Sequence, residues 1–178
     1  MNPTEFTITK STVECYKIRH KSGMYWADIT IDADGNTGRI QIASDYGDWQ
    51  HYWVACGCPF KQFLTELGID YVASKFGESD WFDSDKTITM YRQYIKENRR
   101  DNSLTAEEAR SLRDDVEYLV RSGASKLSDF LHVMHGECHA LMYQFNHQPD
   151  TIKTISPQFR MFWDNVWKFF ITELKKEL

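Results

Sequence analysis

The chain has 178 residues, of which 42% are hydrophobic and 26% are charged, and its formal net charge is −5. This size and composition are typical of a soluble globular protein, and the acidic balance argues against direct nucleic-acid binding because it gives no overall basic surface for phosphates. No apolar run approaches the roughly 20 residues that a membrane span needs, and no signal-peptide pattern is present. The sequence therefore predicts a cytoplasmic protein without a membrane partner, whose four cysteines are reduced thiols.

The first third of the chain predicts antiparallel strands. Short runs rich in β-branched and aromatic residues are separated by turn signals such as Lys21-Ser22-Gly23. We expect strands at residues 14–20, 25–31, 39–44 and 49–55, with residues 6–9 as a further edge strand. Because connections this short join antiparallel neighbours, the pattern predicts a β-meander of four to five strands.

Beyond Cys58 the apolar period becomes helical. Phe60, Phe63, Leu64 and Leu67 have the i, i+3, i+4, i+7 spacing of one helix face. The further expected helices, which bring the total to five or six, are residues 69–76, 84–100, 105–122, 125–145 and the segment from residue 157 onward.

The order of these elements predicts an α+β fold. Strands come first and helices follow, which is typical of helices packed on one face of an antiparallel sheet. We expect one domain over residues 1–178. The alternative is a helical subdomain at residues 84–178, after a boundary near residues 77–83.

Cys58 is a candidate nucleophile. It precedes Pro59 and is expected at the N-terminus of the Phe60 helix, where the helix dipole would lower the pKa of its thiol. His51, on the preceding strand, is the candidate base, but no third group that would orient the imidazole is evident. The alternative is a tight turn in which Cys56 and Cys58 are small buried side chains.

Three histidines form a candidate metal site. His132, His135 and His139 lie about one turn apart on one side of the expected helix at residues 125–145, and such a row can bind zinc or another transition metal. The HExxH motif is absent because Gly136 stands where the glutamate would be. The alternative is a set of partly exposed structural histidines. Nucleotide-binding and α/β-hydrolase motifs are also absent, so the sequence indicates no cofactor.

Aromatic residues are abundant, at 15% of the chain. Large rings occur both in cores and at recognition surfaces, so composition alone leaves their role open. The candidate aromatic binding residues are Trp49, Tyr52, Trp53 and Trp81.

Most of the negative charge falls in residues 78–117, which contain eleven acidic and seven basic side chains. The excess predicts either solvated helix faces or an acidic surface that docks onto a basic partner. The candidate docking residues are Glu107, Glu108, Asp114 and Asp115.

Between residues 39 and 77, the segments SDYGDWQHYW, CPFKQFL and DYVASKFG resemble small uncharacterised proteins encoded by bacteriophages and prophages. In these proteins a strand with an S-D-x-G-x-aromatic turn leads into an F-K-x-F-L helix. The resemblance implies no active site. It implies a phage context inside a host cell, where compact acidic proteins bind and inhibit host machinery, including anti-restriction and anti-CRISPR proteins.

Three functional hypotheses are consistent with these features. The first is a non-enzymatic phage or mobile-element protein that occludes a host protein or complex as an anti-defence factor. The second is an enzyme that uses Cys58 with His51, or the histidine row with a bound metal. The third is an assembly protein that self-associates through Trp163 and Trp167. The oligomeric state is left open.

Overall fold

The computed structural model describes residues 7–178. Four strands form one antiparallel sheet in which each strand pairs with its neighbour along the chain. They are β1 (Glu14–Ile18), β2 (Ala27–Asp34), β3 (Thr37–Ser44) and β4 (Gly47–Trp53). The predicted meander is confirmed with four strands. Of the expected edge strand, residues 7–9 lie outside any strand, and residue 6 lies outside the described residues.

One face of this sheet is apolar. Successive side chains of a strand point to opposite faces, so every second residue of β2 and β3 faces the core. The isoleucines and alanine on this face are Ala27, Ile29, Ile31, Ile40 and Ile42, all buried. The opposite face carries the exposed Gln41 and the half-buried Thr30.

Helices from both ends of the chain cover the apolar face. They are α1 (Phe60–Glu66), α2 (Ile69–Phe76), α7 (Pro157–Phe162), a π-helical segment (Trp163–Trp167) and α8 (Lys168–Leu174), followed by a 3-10 turn (Lys175–Glu177). We call α7, the π segment and α8 together the C-terminal helix. At its start the Ser156 hydroxyl accepts a hydrogen bond from the Phe159 amide, and Pro157 occupies the first turn.

A second set of elements forms its own core. It comprises β5 (Trp81–Phe82), α3 (Ser84–Arg100), α4 (Ala106–Ser122), α5 (Leu127–Glu137), α6 (His139–Gln144) and β6 (Lys153–Thr154). A capping box begins α4, in which the side chains of Thr105 and Glu108 each accept a hydrogen bond from the other's backbone amide. Tyr91, Leu112, Phe130 and Met134 are among its fully buried side chains.

The chain divides into two compact units. The first contains the described residues up to Ser79 together with Ile155–Leu178, and the second is Asp80–Thr154. The C-terminal helix belongs to the first unit because Phe159, Phe162 and Trp167 are buried in the core that includes the sheet. The alternative expectation, a helical subdomain at residues 84–178, would group these residues with α3 to α6. The expectation of a single α+β domain stays a prediction.

Helices α3 to α6 differ from the sequence prediction in two places. The helix expected at residues 125–145 is interrupted at Cys138, whose φ of −103° and ψ of 65° are not helical. On α4, Val120 is exposed although it continues the spacing of the buried Leu112 and Val116 on the same helix. Among residues 7–178, no helix is both long and apolar enough to cross a membrane.

Candidate functional site

A surface cavity of about 380 Å³ opens in the first unit between the end of β1, the β1–β2 connection and the C-terminal helix. Its walls include two large rings, Tyr25 and Phe169, and three polar side chains, Arg19, His20 and Asn165. Phe169 is 64% exposed although it lies on a helix whose other large apolar side chains are mostly buried. We call this site the Tyr25 cavity.

Tyr25 has a strained backbone. Its φ is +59°, in the left-handed region that bulky residues adopt at a cost of about 1–2 kcal/mol. The surrounding contacts explain how the conformation persists. The Tyr25 ring stacks on Tyr46 with 6.2 Å between centroids, and His20 meets it edge-on at 5.6 Å. The amide of the next residue, Trp26, donates a hydrogen bond to the Asp45 carboxylate, and the Trp26 carbonyl accepts one from the Asp45 amide. These contacts therefore hold the Tyr25 ring at the cavity in spite of the strain.

Asn165 reaches the cavity from the π segment. A π turn adds a residue to the helical turn, and such turns are frequent at functional sites. The Asn165 amide nitrogen donates a 3.2 Å hydrogen bond to the Tyr46 hydroxyl, which fixes the side chain. Among the described residues its amide oxygen has no partner, so the oxygen can accept a hydrogen bond from a ligand.

Arg19 is held in place at the rim. One guanidinium nitrogen donates to the carbonyl oxygens of Ile18 and Ala27, and the other lies 2.6 Å from the Asp28 carboxylate. The guanidinium also lies over the Trp26 ring. Because the Arg19 side chain is already fixed, a ligand that bonds to it would immobilise it further at only a small cost in conformational entropy. The cavity thus combines exposed rings with positioned polar groups, which suits the insertion of an aromatic or large apolar side chain.

A second polar cluster joins three elements of the first unit. The Lys61 ammonium lies 2.5 Å from the Glu14 carboxylate and 3.0 Å from that of Glu177, and the Tyr16 hydroxyl lies 2.8 Å from both carboxylates. Hydrogen bonds from Lys61 and then Tyr16 hold the pKa of Glu14 and of Glu177 below the ordinary value. Burial raises the pKa of Tyr16, so this hydroxyl stays protonated. The cluster ties β1 and α1 to the chain end and is structural.

The structure does not assemble a cysteine–histidine pair. The Cys58 thiol donates a hydrogen bond to the carbonyl of Cys56. Within residues 7–178, no hydrogen bond joins Cys58 to His51. His51 instead packs edge-on against Trp53 at 4.4 Å, and burial lowers the pKa of its imidazole. Cys58 lies one residue before Pro59, the N-cap of α1.

The histidine row is broken by the interruption at Cys138. His132 and His135 lie on α5, whereas His139 begins α6, so the three do not share one continuous helix face. All three side chains are exposed. In the described part of the chain, no three His, Cys, Asp or Glu side chains are grouped so that they could hold a metal ion.

The four candidate aromatics divide into two buried and two exposed rings. Trp49 and Trp53 are core residues, 8% and 5% exposed, and their indole N–H groups donate to Glu78 and to the Tyr71 hydroxyl. Tyr52, on the opposite face of β4, is 51% exposed beneath Arg39. Trp81 of the second unit is 53% exposed.

The four candidate acids also have different positions. Glu108 is used by the capping box of α4, and Asp115 accepts a 3.0 Å hydrogen bond from the Leu141 amide at the start of α6. Glu107 and Asp114 are exposed, and within residues 7–178 neither has a side-chain partner. Their role in docking stays a prediction, as does that of the exposed rings.

Trp163 and Trp167, considered for self-association, stack on each other at 5.4 Å. Trp167 is buried and Trp163 is half-buried, so both contribute mainly to the first core.

Sequence reasoning missed both rings of the Tyr25 cavity. Phe169 was detectable in principle, because it departs from the buried stripe of Phe162, Val166 and Phe170 on the same helix. Tyr25 was assigned to a strand, since no local residue type signals a left-handed conformation there.

Fold and site together define an α+β protein with an aromatic-walled surface cavity. The model of a phage family matches residues 6–176, nearly the whole sequence. The chain therefore belongs to that phage family, and the resemblance noted at residues 39–77 is confirmed and extended. Comparisons with curated proteins and with solved structures gave no match.

Proposed function

We propose that this phage-family protein is a non-enzymatic binding protein that inhibits host machinery by occluding a host protein, as an anti-defence factor of the anti-restriction or anti-CRISPR type. The host cytoplasm is its proposed place of action. The observation that carries the proposal is the Tyr25 cavity. The exposed ring of Phe169 borders this cavity, which is large enough for a partner side chain.

The physical basis is the cost of leaving such a ring in water. Exposed large rings beside a cavity gain free energy when a partner covers them, and binding hot spots are typically such pockets. Strain at Tyr25 supports the same interpretation, because strained residues are retained where the surrounding structure holds them for a purpose. Arg19 and Asn165 would supply directional hydrogen bonds at the rim.

Affinity capture from host lysate with matched variants tests the proposal. The site variants are Phe169→Ser and Tyr25→Gly, the second of which also relieves the positive φ. The control is Tyr143→Ser, which removes a ring that is 81% exposed in the second unit. We expect one host protein to be retained by the wild type and the control, and its affinity to fall by about 30-fold or more in the site variants.

The captured protein is then assayed for its own activity with increasing amounts of the wild-type chain. Occlusion predicts inhibition that saturates at stoichiometric addition and is weakened in the Phe169→Ser variant. Equal capture by all four proteins would contradict the role of the cavity. Turnover of a substrate by the purified chain, without any retained partner, would contradict the proposed function.

A further inference from the structure

A groove of about 470 Å³ lies between α3 and α4 in the second unit. Its lining contains four cationic side chains and a single anionic one, Glu117. The cations are Arg92, Lys96, Arg99 and Arg113. The groove is therefore locally basic, although residues 78–117 together carry more acidic than basic side chains.

Two of the four cations have partners and two do not. Arg92 lies 2.8 Å from Glu117 in an exposed ion pair, and Arg99 donates to the carbonyl of Leu104, which closes the α3–α4 connection. Among the described residues, Lys96 and Arg113 have no hydrogen-bond or ion-pair partner. Because an exposed ion pair stabilises a protein only slightly, Arg92 is also available to a stronger ligand.

The floor of the groove is apolar. Ile95 and Val116, which line it, are buried core residues of the second unit. Arg92, Lys96 and Arg99 follow one another along α3 at intervals of four and three residues, so they span about 10 Å of helix. An extended peptide covers that length in about three residues.

We propose that this groove binds an acidic peptide segment of a partner protein, with carboxylates at the cationic rim and an apolar side chain over Ile95 and Val116. Arginine clusters recognise acidic motifs in this way, and a charge-assisted hydrogen bond is about twice as strong as a neutral one. The long aliphatic stems of the arginine and lysine side chains extend the apolar wall beneath their charged ends.

Charge complementarity and shape favour a peptide over a nucleic acid. Single-stranded nucleic acid is bound by aromatic rings on which bases stack, and the lining of this groove includes none. Duplex recognition requires an element that projects into a groove of the duplex, whereas this surface is itself concave. Glu117 in the lining would interrupt a continuous row of phosphates, whereas the carboxylates of a peptide can be spaced on either side of it.

Fluorescence anisotropy with a labelled peptide of glutamates around a leucine tests the proposal. The second probe has glutamine at every glutamate position, and the third is a labelled oligothymidine. The groove variant is Lys96→Glu with Arg113→Glu, and its neutral counterpart is Lys96→Gln with Arg113→Gln. The control is Arg121→Glu with Lys126→Glu, which makes the same change of net charge at exposed positions outside the groove lining.

We expect the acidic peptide to bind the wild type and the control with the same Kd, and more weakly as salt is added. In both the groove variant and its neutral counterpart the Kd should rise by at least about tenfold. An equal rise of the Kd in the control would overturn the proposal, because the peptide would then respond to the net charge of the protein and not to the groove. Tighter binding of the oligothymidine than of the acidic peptide, or equal binding of the glutamine peptide, would overturn it as well.

Discussion

The ring of Phe60 occupies the space that a side chain at Gly38 would need. Gly38 lies on the core face of β3 opposite Trp53, and a Cβ atom at this position would overlap with the Phe60 ring. Phe60 begins α1, and its amide donates a 2.9 Å hydrogen bond to the carbonyl of Gly35 in the β2–β3 turn. The missing side chain at Gly38 thus lets the first helix lie directly on the sheet.

Gly38→Ala should destabilise the first unit by about 1–3 kcal/mol, because the Phe60 ring is fully buried and cannot move away without disturbing its neighbours. Urea unfolding followed by tryptophan fluorescence measures the change. Gly136→Ala is the matched control. A Cβ there meets nothing within 4 Å and the residue lies inside α5, so we expect a gain of about 0.5–1 kcal/mol. An unchanged unfolding midpoint in Gly38→Ala would contradict the close packing.

Adjacent acids on α4 should respond differently to truncation. Asp115 accepts a hydrogen bond from the amide of Leu141, one of the unpaired donors at the start of α6, so Asp115→Ala should cost about 0.5–2 kcal/mol. Asp114 is exposed, and its replacement by alanine should change stability by less than about 0.5 kcal/mol. Thermal unfolding of both variants tests the difference. Equal effects would show that the contact with Leu141 contributes nothing.

The cluster around Lys61 should make stability depend on pH in the acidic range. The folded-state pKa values of Glu14 and Glu177 are below the ordinary value of 4.5, so the stabilisation is present above that pH and is lost as pH falls through the lowered values. Lys61→Met should lower stability at neutral pH and flatten the decrease below pH 4.5. The control is Lys168→Met, since the ion pair of Lys168 within residues 7–178 is with Asp164 on its own helix. Urea midpoints across the acidic range measure both, and parallel curves for wild type and Lys61→Met would contradict the prediction.

Cysteine alkylation should follow exposure. Burial raises the pKa of the Cys138 thiol to about 12, so this residue should react only after the second unit unfolds. Cys15 is exposed and should react first in the native protein. Iodoacetamide labelling followed by peptide mass mapping gives the order. Reaction of Cys58 ahead of Cys15 would support a cysteine-dependent enzyme instead of a binding protein.

The strands were predictable because their signals are local. Turn residues and alternating side chains predicted the meander, and the observed strand ends differ from the expected ones by at most three residues. Tyr25, expected in β2, precedes that strand and adopts a left-handed conformation that no neighbouring residue indicates. The same alternation along β4 puts Trp49 and Trp53 on one face and Tyr52 on the other, as the structure shows. The alternation therefore predicts on which side of the sheet each of these three rings lies.

The interruption at Cys138 could not be predicted in the same way. No proline marks it, and the nearby glycine, Gly136, is itself helical within α5. The amides exposed at the start of α6 include that of Leu141, whose partner is Asp115, a residue of another helix. Such tertiary contacts override local helix propensity.

The basic groove between α3 and α4 could not be predicted from the sequence for a related reason. Counting charges along residues 78–117 adds together opposite sides of the helices, whereas folding separates Lys96 and Arg113 from Glu107 and Asp114.

The return of the C-terminal helix to the first unit has a consequence during synthesis. The strands, α1 and α2 are translated before the C-terminal helix, so the apolar face of the sheet is only partly covered until Phe159, Phe162 and Trp167 have been translated. The second unit lies between them in the chain and can complete its own core first. A premature stop codon after residue 154 would therefore leave a compact helical unit in the same chain as a sheet whose apolar face is only partly covered, by α1 and α2. Such a product should be removed by proteases or aggregate.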